Sequence, residues 1–219
     1  RPRPGIVEND VTDLPYTLLH GNDYFPDAFI GRIETDSPTS STIRSVTTRV
    51  LNHEQHADEF EEEAFHRAVL FGGNFGDGNI PVVSPVETLE WLEQRLEERG
   101  WDVWTQYYIG DGDEIEPGPI VNAINEVVNI VAYRGWADAR GTHYPQFYRE
   151  NLLQLDNGPL LPVFTMFVCN VGDFGNENQN PCFGGYSISR GTRRSPAAAL
   201  AFYGPSDLHT STRYNNPNL

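Results

Sequence analysis

Leu161-Pro-Val-Phe-Thr-Met-Phe-Val168, followed by Cys169-Asn-Val-Gly-Asp-Phe174, decides how this chain reads. A short apolar run closed by turn formers is a buried strand. Asn170, Gly172 and Asp173 are the turn formers, so Cys169 stands at the strand's C-terminal tip. Parallel sheets gather their chemistry at that edge. A second stretch, Val131-Ala-Tyr-Arg-Gly135, ends another strand in the same way.

Working outward, strands are expected at 27–33, 66–73, 101–109, 129–133, 161–168 and 197–203. Helices are expected at 40–65, 85–99, 120–127, 148–155 and 183–190. The helix from Pro85 to Arg99 carries the clearest signals. Ser84 is a natural N-cap, Glu87 completes a capping box, Pro85 fits the first helical position, and Gly100 is the expected stop. Alternating strands and helices imply an α/β fold, a mostly parallel sheet with flanking helices. Three strands then end in long loops, Arg134–Phe147, Cys169–Asn180 and Gly204–Asn216. In a parallel sheet these loops share one edge and converge on one site.

The chain has 219 residues, which fits a single domain spanning 1–219. Its start, Arg1-Pro-Arg-Pro-Gly5, reads as the middle of something longer. No apolar run reaches the roughly 18 residues of a membrane span. The net charge of -16 argues against a nucleic-acid partner. All 15 basic residues are Arg. A Lys-free acidic surface fits adaptation to high salt, a coding bias towards Arg, or a Lys-specific protease that spares itself. Oligomeric state is not legible here.

With these elements in place, the chain resembles the gingipain-like cysteine peptidases of family C25. The residues that carry the likeness are Gly21-Asn-Asp-Tyr-Phe-Pro-Asp-Ala-Phe-Ile-Gly-Arg32, Ala132-Tyr-Arg-Gly135, Leu161-Pro-Val-Phe164, Val168-Cys-Asn-Val-Gly-Asp-Phe174, Pro181-Cys-Phe183 and Ala199-Leu-Ala-Phe202. The resemblance implies a caspase-like fold, truncated here at both ends. It also implies a secreted or cell-surface location and hydrolysis of peptide bonds in peptide or protein substrates by a Cys nucleophile and a His base. It requires no cofactor, although structural calcium is common in the family. The Cys motif carries over onto Cys169. The family's His position falls on Trp136, its supporting acid falls near Phe75, and its Cys-Phe-x-Glu reads Cys182-Phe-Gly-Gly185. A catalytically inactive member that binds peptides, binds partners or builds a surface structure is the alternative reading.

The base must then come from elsewhere. His143, in the loop that follows Gly135, is the candidate, with Asp138 to orient it. His209 in the last loop is the second candidate; with Asp207 it alternatively shapes the substrate pocket. The Gly135–Trp136 turn and the Cys169 amide are the expected oxyanion donors, and Trp136 either walls the pocket or packs in the core. Cys182 reads as structural, and His20, His53, His56 and His66 likewise. Asp111, Asp113 and Glu114 are candidate calcium ligands in an acidic turn, without EF-hand spacing.

Overall fold

The computed structural model describes residues 11–34, 39–74, 84–109 and 116–206. Five strands form one parallel sheet: β1 (Arg67–Gly73), β2 (Asp102–Tyr108), β3 (Ile130–Arg134), β7 (Val163–Met166) and β8 (Ala201–Tyr203). Their order is β2-β1-β3-β7-β8, and every pairing is parallel. The chain leaves β1 towards β2 and returns to β3 on β1's other side. This reversal is a topological switch point, the place where open α/β sheets hold their ligands. A second, antiparallel sheet inserts between β3 and β7: β4 (Ala137–Asp138), β5 (Gly141–His143) and β6 (Gln146–Tyr148).

The helices are α1 (Ser40–Gln55), α2 (Pro85–Glu97), α3 (Gly118–Asn125) and α4 (Phe183–Ser189). Helix α2 begins with the capping box that its sequence predicts. The Glu87 amide donates to Ser84 Oγ at 3.1 Å, and the Ser84 amide donates to Glu87 Oε2 at 2.6 Å. Alternation along the strands sends side chains to two cores. Val69, Phe71, Val131, Tyr133, Phe164 and Met166 face α3, Phe147 and Phe183. Leu70 and Ala132 face Leu89 of α2, with Leu92 and Leu96 beside them. Near β8 the guanidinium of Arg49 is buried and donates to the carbonyls of Ala199 at 3.0 Å and Ala197 at 3.3 Å. Burial holds the Arg49 pKa down, at about 10.

Three expectations need correction. Residues 27–33 form no strand; Phe29 and Ile30 both face solvent, so the segment lacks the one-sided burial that fixes a strand. The helix expected over 40–65 stops at Gln55, and short 3-10 turns follow at Ala57–Glu59 and Glu62–His66. The acidic run from Asp58 to Glu63 offers no apolar stripe and repels itself at helical spacing. The helix expected over 148–155 is the end of β6 followed by a 3-10 turn at Asn151–Gln154. The Tyr148 amide donates to Asn151 Oδ1 at 2.7 Å, and this side-chain cap takes the place of a helical bond.

Candidate active site

Cys169 follows β7, is half-buried, and is in no disulfide. Its neighbour Asn170 has φ 57, the left-handed conformation that Asn tolerates. The turn is then held from inside. Asp173 Oδ2 accepts from Asn176 Nδ2 at 3.0 Å and Asn170 Nδ2 at 3.4 Å, while Oδ1 accepts from the Gly175 amide at 3.2 Å. It is also tied to its surroundings. Gly172 donates to Pro205 O, and Gly184 donates to Val171 O, both at 2.8 Å. The Phe167 amide donates to Tyr133 O at 3.2 Å, so β3 and β7 deliver their exit loops side by side. The Cys169 turn, the Gly135 turn and the start of the Gly204 loop therefore share one sheet edge, as expected.

Past β3, Tyr133 organises the second loop. Its hydroxyl is buried; it accepts from the Trp136 amide at 2.9 Å and faces the carbonyls of Trp136 at 2.9 Å and Tyr144 at 3.1 Å. Burial pushes this phenol well above its ordinary range. One side chain thus ties both ends of the β4–β5 hairpin to the sheet. The close approach needs glycine on β1: a Cβ at Gly73 would meet Tyr144 O at 2.5 Å.

His143 lies on β5. Its amide donates to Trp136 O at 2.9 Å. Nε2 lies 3.3 Å from Asp138 Oδ2, and Nδ1 lies 3.0 Å from the Tyr148 hydroxyl. The hydrogen bond from His143, and a second from the Arg140 amide at 2.7 Å, hold the Asp138 carboxyl below its usual range. The Trp136 ring stands edge-on to the imidazole, centroids 5.5 Å apart, and is 54% exposed. The indole is therefore surface, not core.

Cys182 is buried and reads as structural. Its amide donates to Glu34 Oε1 at 2.9 Å and its thiol to Glu34 Oε2 at 3.1 Å. Burial and the neighbouring carboxylate push the thiol far up. Burial also raises the Glu34 carboxyl. Glu34 borders a cavity of about 250 Å³ shared with Gly172 and Phe174 of the Cys169 loop, Gly185 of α4, and Tyr203 and Gly204. Asp207, His209, Asp111, Asp113 and Glu114 lie outside the described residues.

Sequence reasoning placed Gly135, Trp136, Asp138 and His143 in one loop converging with the Cys169 turn, and the structure folds that loop into the β4–β5 hairpin. It missed the two tyrosines. Tyr133 could have been found by alternation, since it shares a face with Val131. Tyr148 was hidden because its segment reads as the start of a helix.

These observations agree with comparisons to known proteins. The model of peptidase family C25 matches residues 4–218. Gingipain R2 of Porphyromonas gingivalis is 25% identical over 183 residues, which cover 82% of this chain and 23% of the relative. Gingipain R1 of the same organism is 25% identical, with 82% of this chain and 17% of the relative covered. The chain thus spans about a quarter or less of these curated relatives. The crystal structure of the Arg-specific cysteine proteinase gingipain R matches with a TM-score of 0.70 at 20% identity, over 92% of this chain and 44% of that one. The fold is caspase-like, and the chain belongs to peptidase family C25.

Proposed function

We propose that this chain is a single catalytic domain of a gingipain-like cysteine endopeptidase, with Cys169 as nucleophile and His143 as base. The observation that carries the reading is the Asp138–His143 pair, 3.3 Å apart, on the hairpin that leaves β3 beside the Cys169 turn. A carboxylate on one nitrogen of an imidazole fixes its tautomer and supports its positive charge. The family and the half-buried thiol, which is in no disulfide, add to it.

In this mechanism His143 takes the Cys169 proton. The thiolate attacks the scissile carbonyl carbon, the C–S bond forms, and the carbonyl π pair moves to oxygen. The Cys169 amide and the Gly135 turn stabilise that oxyanion. The Trp136 amide is already held by Tyr133, so its indole serves as pocket wall instead. Collapse expels the amine, which takes the proton from His143. Water, deprotonated by His143, then cleaves the thioester and releases Cys169. No step draws on a cofactor. The substrate is a peptide or protein, and the family resemblance supports a location at the cell surface or outside the cell. Among the described residues no helix is long and apolar enough to cross a membrane.

The test is the pH dependence of iodoacetamide labelling at Cys169, with cleavage of a peptide library measured alongside. A thiol pKa well below about 8.5, lost in His143→Ala, is the expected result. An ordinary thiol profile with no cleavage overturns the reading and leaves a binding or structural protein.

A further inference from the structure

His143 makes a second bond that the proposed chemistry does not use. The ring is held from both sides: Asp138 Oδ2 at Nε2, 3.3 Å, and the Tyr148 hydroxyl at Nδ1, 3.0 Å. An ionised carboxylate only accepts, so Nε2 carries the hydrogen. In the neutral ring Nδ1 is then the acceptor, and Tyr148 must be its donor. The lone pair that would take a proton is therefore already bonded to a phenol.

The phenol is well held. The Tyr148 amide is capped by Asn151 Oδ1 at 2.7 Å. The Arg140 guanidinium stands 4.3 Å over the Tyr148 ring, with its Nε 3.3 Å from Glu150 Oε2. A cation over the ring face draws on its π density and makes the O–H a better donor. The two bonds to His143 differ in strength. The Asp138 bond joins a charged acceptor; the Tyr148 bond joins neutral groups and is the weaker. When His143 turns to another partner, the Tyr148 bond is the one that opens.

We propose that Tyr148 is a positioning residue that holds the proton-accepting nitrogen of His143, whose tautomer Asp138 sets, until the nucleophile or substrate displaces it. The proposal rests on His143 acting as base for Cys169. It makes the chain a four-membered one, Asp138–His143–Tyr148 with Arg140 over the ring, all carried by the β4–β6 sheet and its turns. In this arrangement Tyr148 restrains the resting thiol rather than assisting it. The sign of its effect is therefore opposite to that of His143.

The experiment labels Cys169 with iodoacetamide at neutral pH, with peptide mapping to assign the site, in wild type, Tyr148→Phe, His143→Ala and the double variant. Phe keeps the ring and the stack on Arg140 and removes only the hydroxyl. Tyr148→Phe should label faster, by about two- to tenfold, the population freed by losing one neutral hydrogen bond. His143→Ala should label more slowly, and the double variant should match His143→Ala. A Tyr148→Phe rate equal to or below wild type, with His143→Ala still slow, overturns the restraint and leaves the base assignment standing. A His143→Ala rate equal to wild type removes the base assignment, and the restraint with it. Nitrogen NMR shifts of His143 in the unmodified protein give a check that needs no variant. The Nε2–H tautomer with an acceptor Nδ1 is expected, and a neutral Nδ1–H tautomer overturns the proposal.

Discussion

The Glu34 carboxylate fills the space that a side chain at Gly185 would need. A Cβ built there runs into the carboxyl group itself, which is fixed at the start of α4 by the amide and thiol of Cys182. A residue of the irregular N-terminal segment thus supplies a carboxylate where the helix offers none.

That fit predicts a coupled pair. Gly185→Ala should destabilise by about 1–3 kcal/mol through overpacking, although Ala is the better helix former by about 1 kcal/mol. Adding Glu34→Ala should recover part of the loss. Urea unfolding of both single variants and the double variant reads the coupling directly. Additive losses would mean that the two positions do not touch.

Tyr133→Phe should keep the ring contact with Phe71, whose centroid is 4.9 Å away, and lose the clamp on the hairpin. The Trp136 amide would lose its acceptor and the Tyr144 carbonyl its contact with the hydroxyl, while the Trp136 carbonyl keeps the His143 amide. Leaving such groups unsatisfied costs about 1–3 kcal/mol. Hydrogen exchange should show the cost as faster opening at residues 136–144, with β1 and β3 little changed. A uniform change across the sheet would contradict the clamp.

Two carboxyls should respond to acid in opposite senses. Asp138 is held below its ordinary range, chiefly by His143. Its stabilisation is present above the unfolded value of about 4 and fades as pH falls through the lower folded value. Glu34 is raised, chiefly by burial. Its contribution is fullest below the unfolded value of about 4 and fades as pH rises through the higher folded value. The stability gap between wild type and Asp138→Asn should therefore shrink as pH falls below the unfolded value of about 4. Wild type should lose ground to Glu34→Gln as pH climbs above the unfolded value of about 4. Parallel slopes for the two variants would refute both assignments.

At a net charge of -16 the folded chain repels itself, and salt screens that repulsion. The melting temperature should rise with NaCl. A flat response up to molar salt would leave coding bias as the explanation for the missing Lys.

Legibility in the sequence followed the strength of local signals. The sheet strands at Val69, Val131 and Phe164 were readable because they stand out as apolar runs, the first two being buried on both faces. Helix α2 was readable because its cap, its stripe and its glycine stop all agree. The β4–β6 sheet was not, since its strands are two or three residues long and mix Gly, Thr and Gln with aromatics. No periodicity can register over so short a span. The site divided in the same way. Cys169 was marked by the strand that delivers it, whereas Tyr148 became visible only once β5 and β6 paired.

A nucleophile at a strand tip cannot migrate, because a one-residue shift turns every side chain of that strand to the opposite face. The β4–β6 hairpin is under no such constraint. It is a cassette between two strands of a finished sheet, clamped by the Tyr133 phenol and packed into the core through Phe147. Its turns can lengthen, and its polar residues can trade places, while the order β2-β1-β3-β7-β8 stays as it is. Under the proposed assignment, an imidazole can therefore be supplied from His143, a few residues along the same hairpin from Trp136. In the proposed site the sulfur is a fixed address and the base is a movable one.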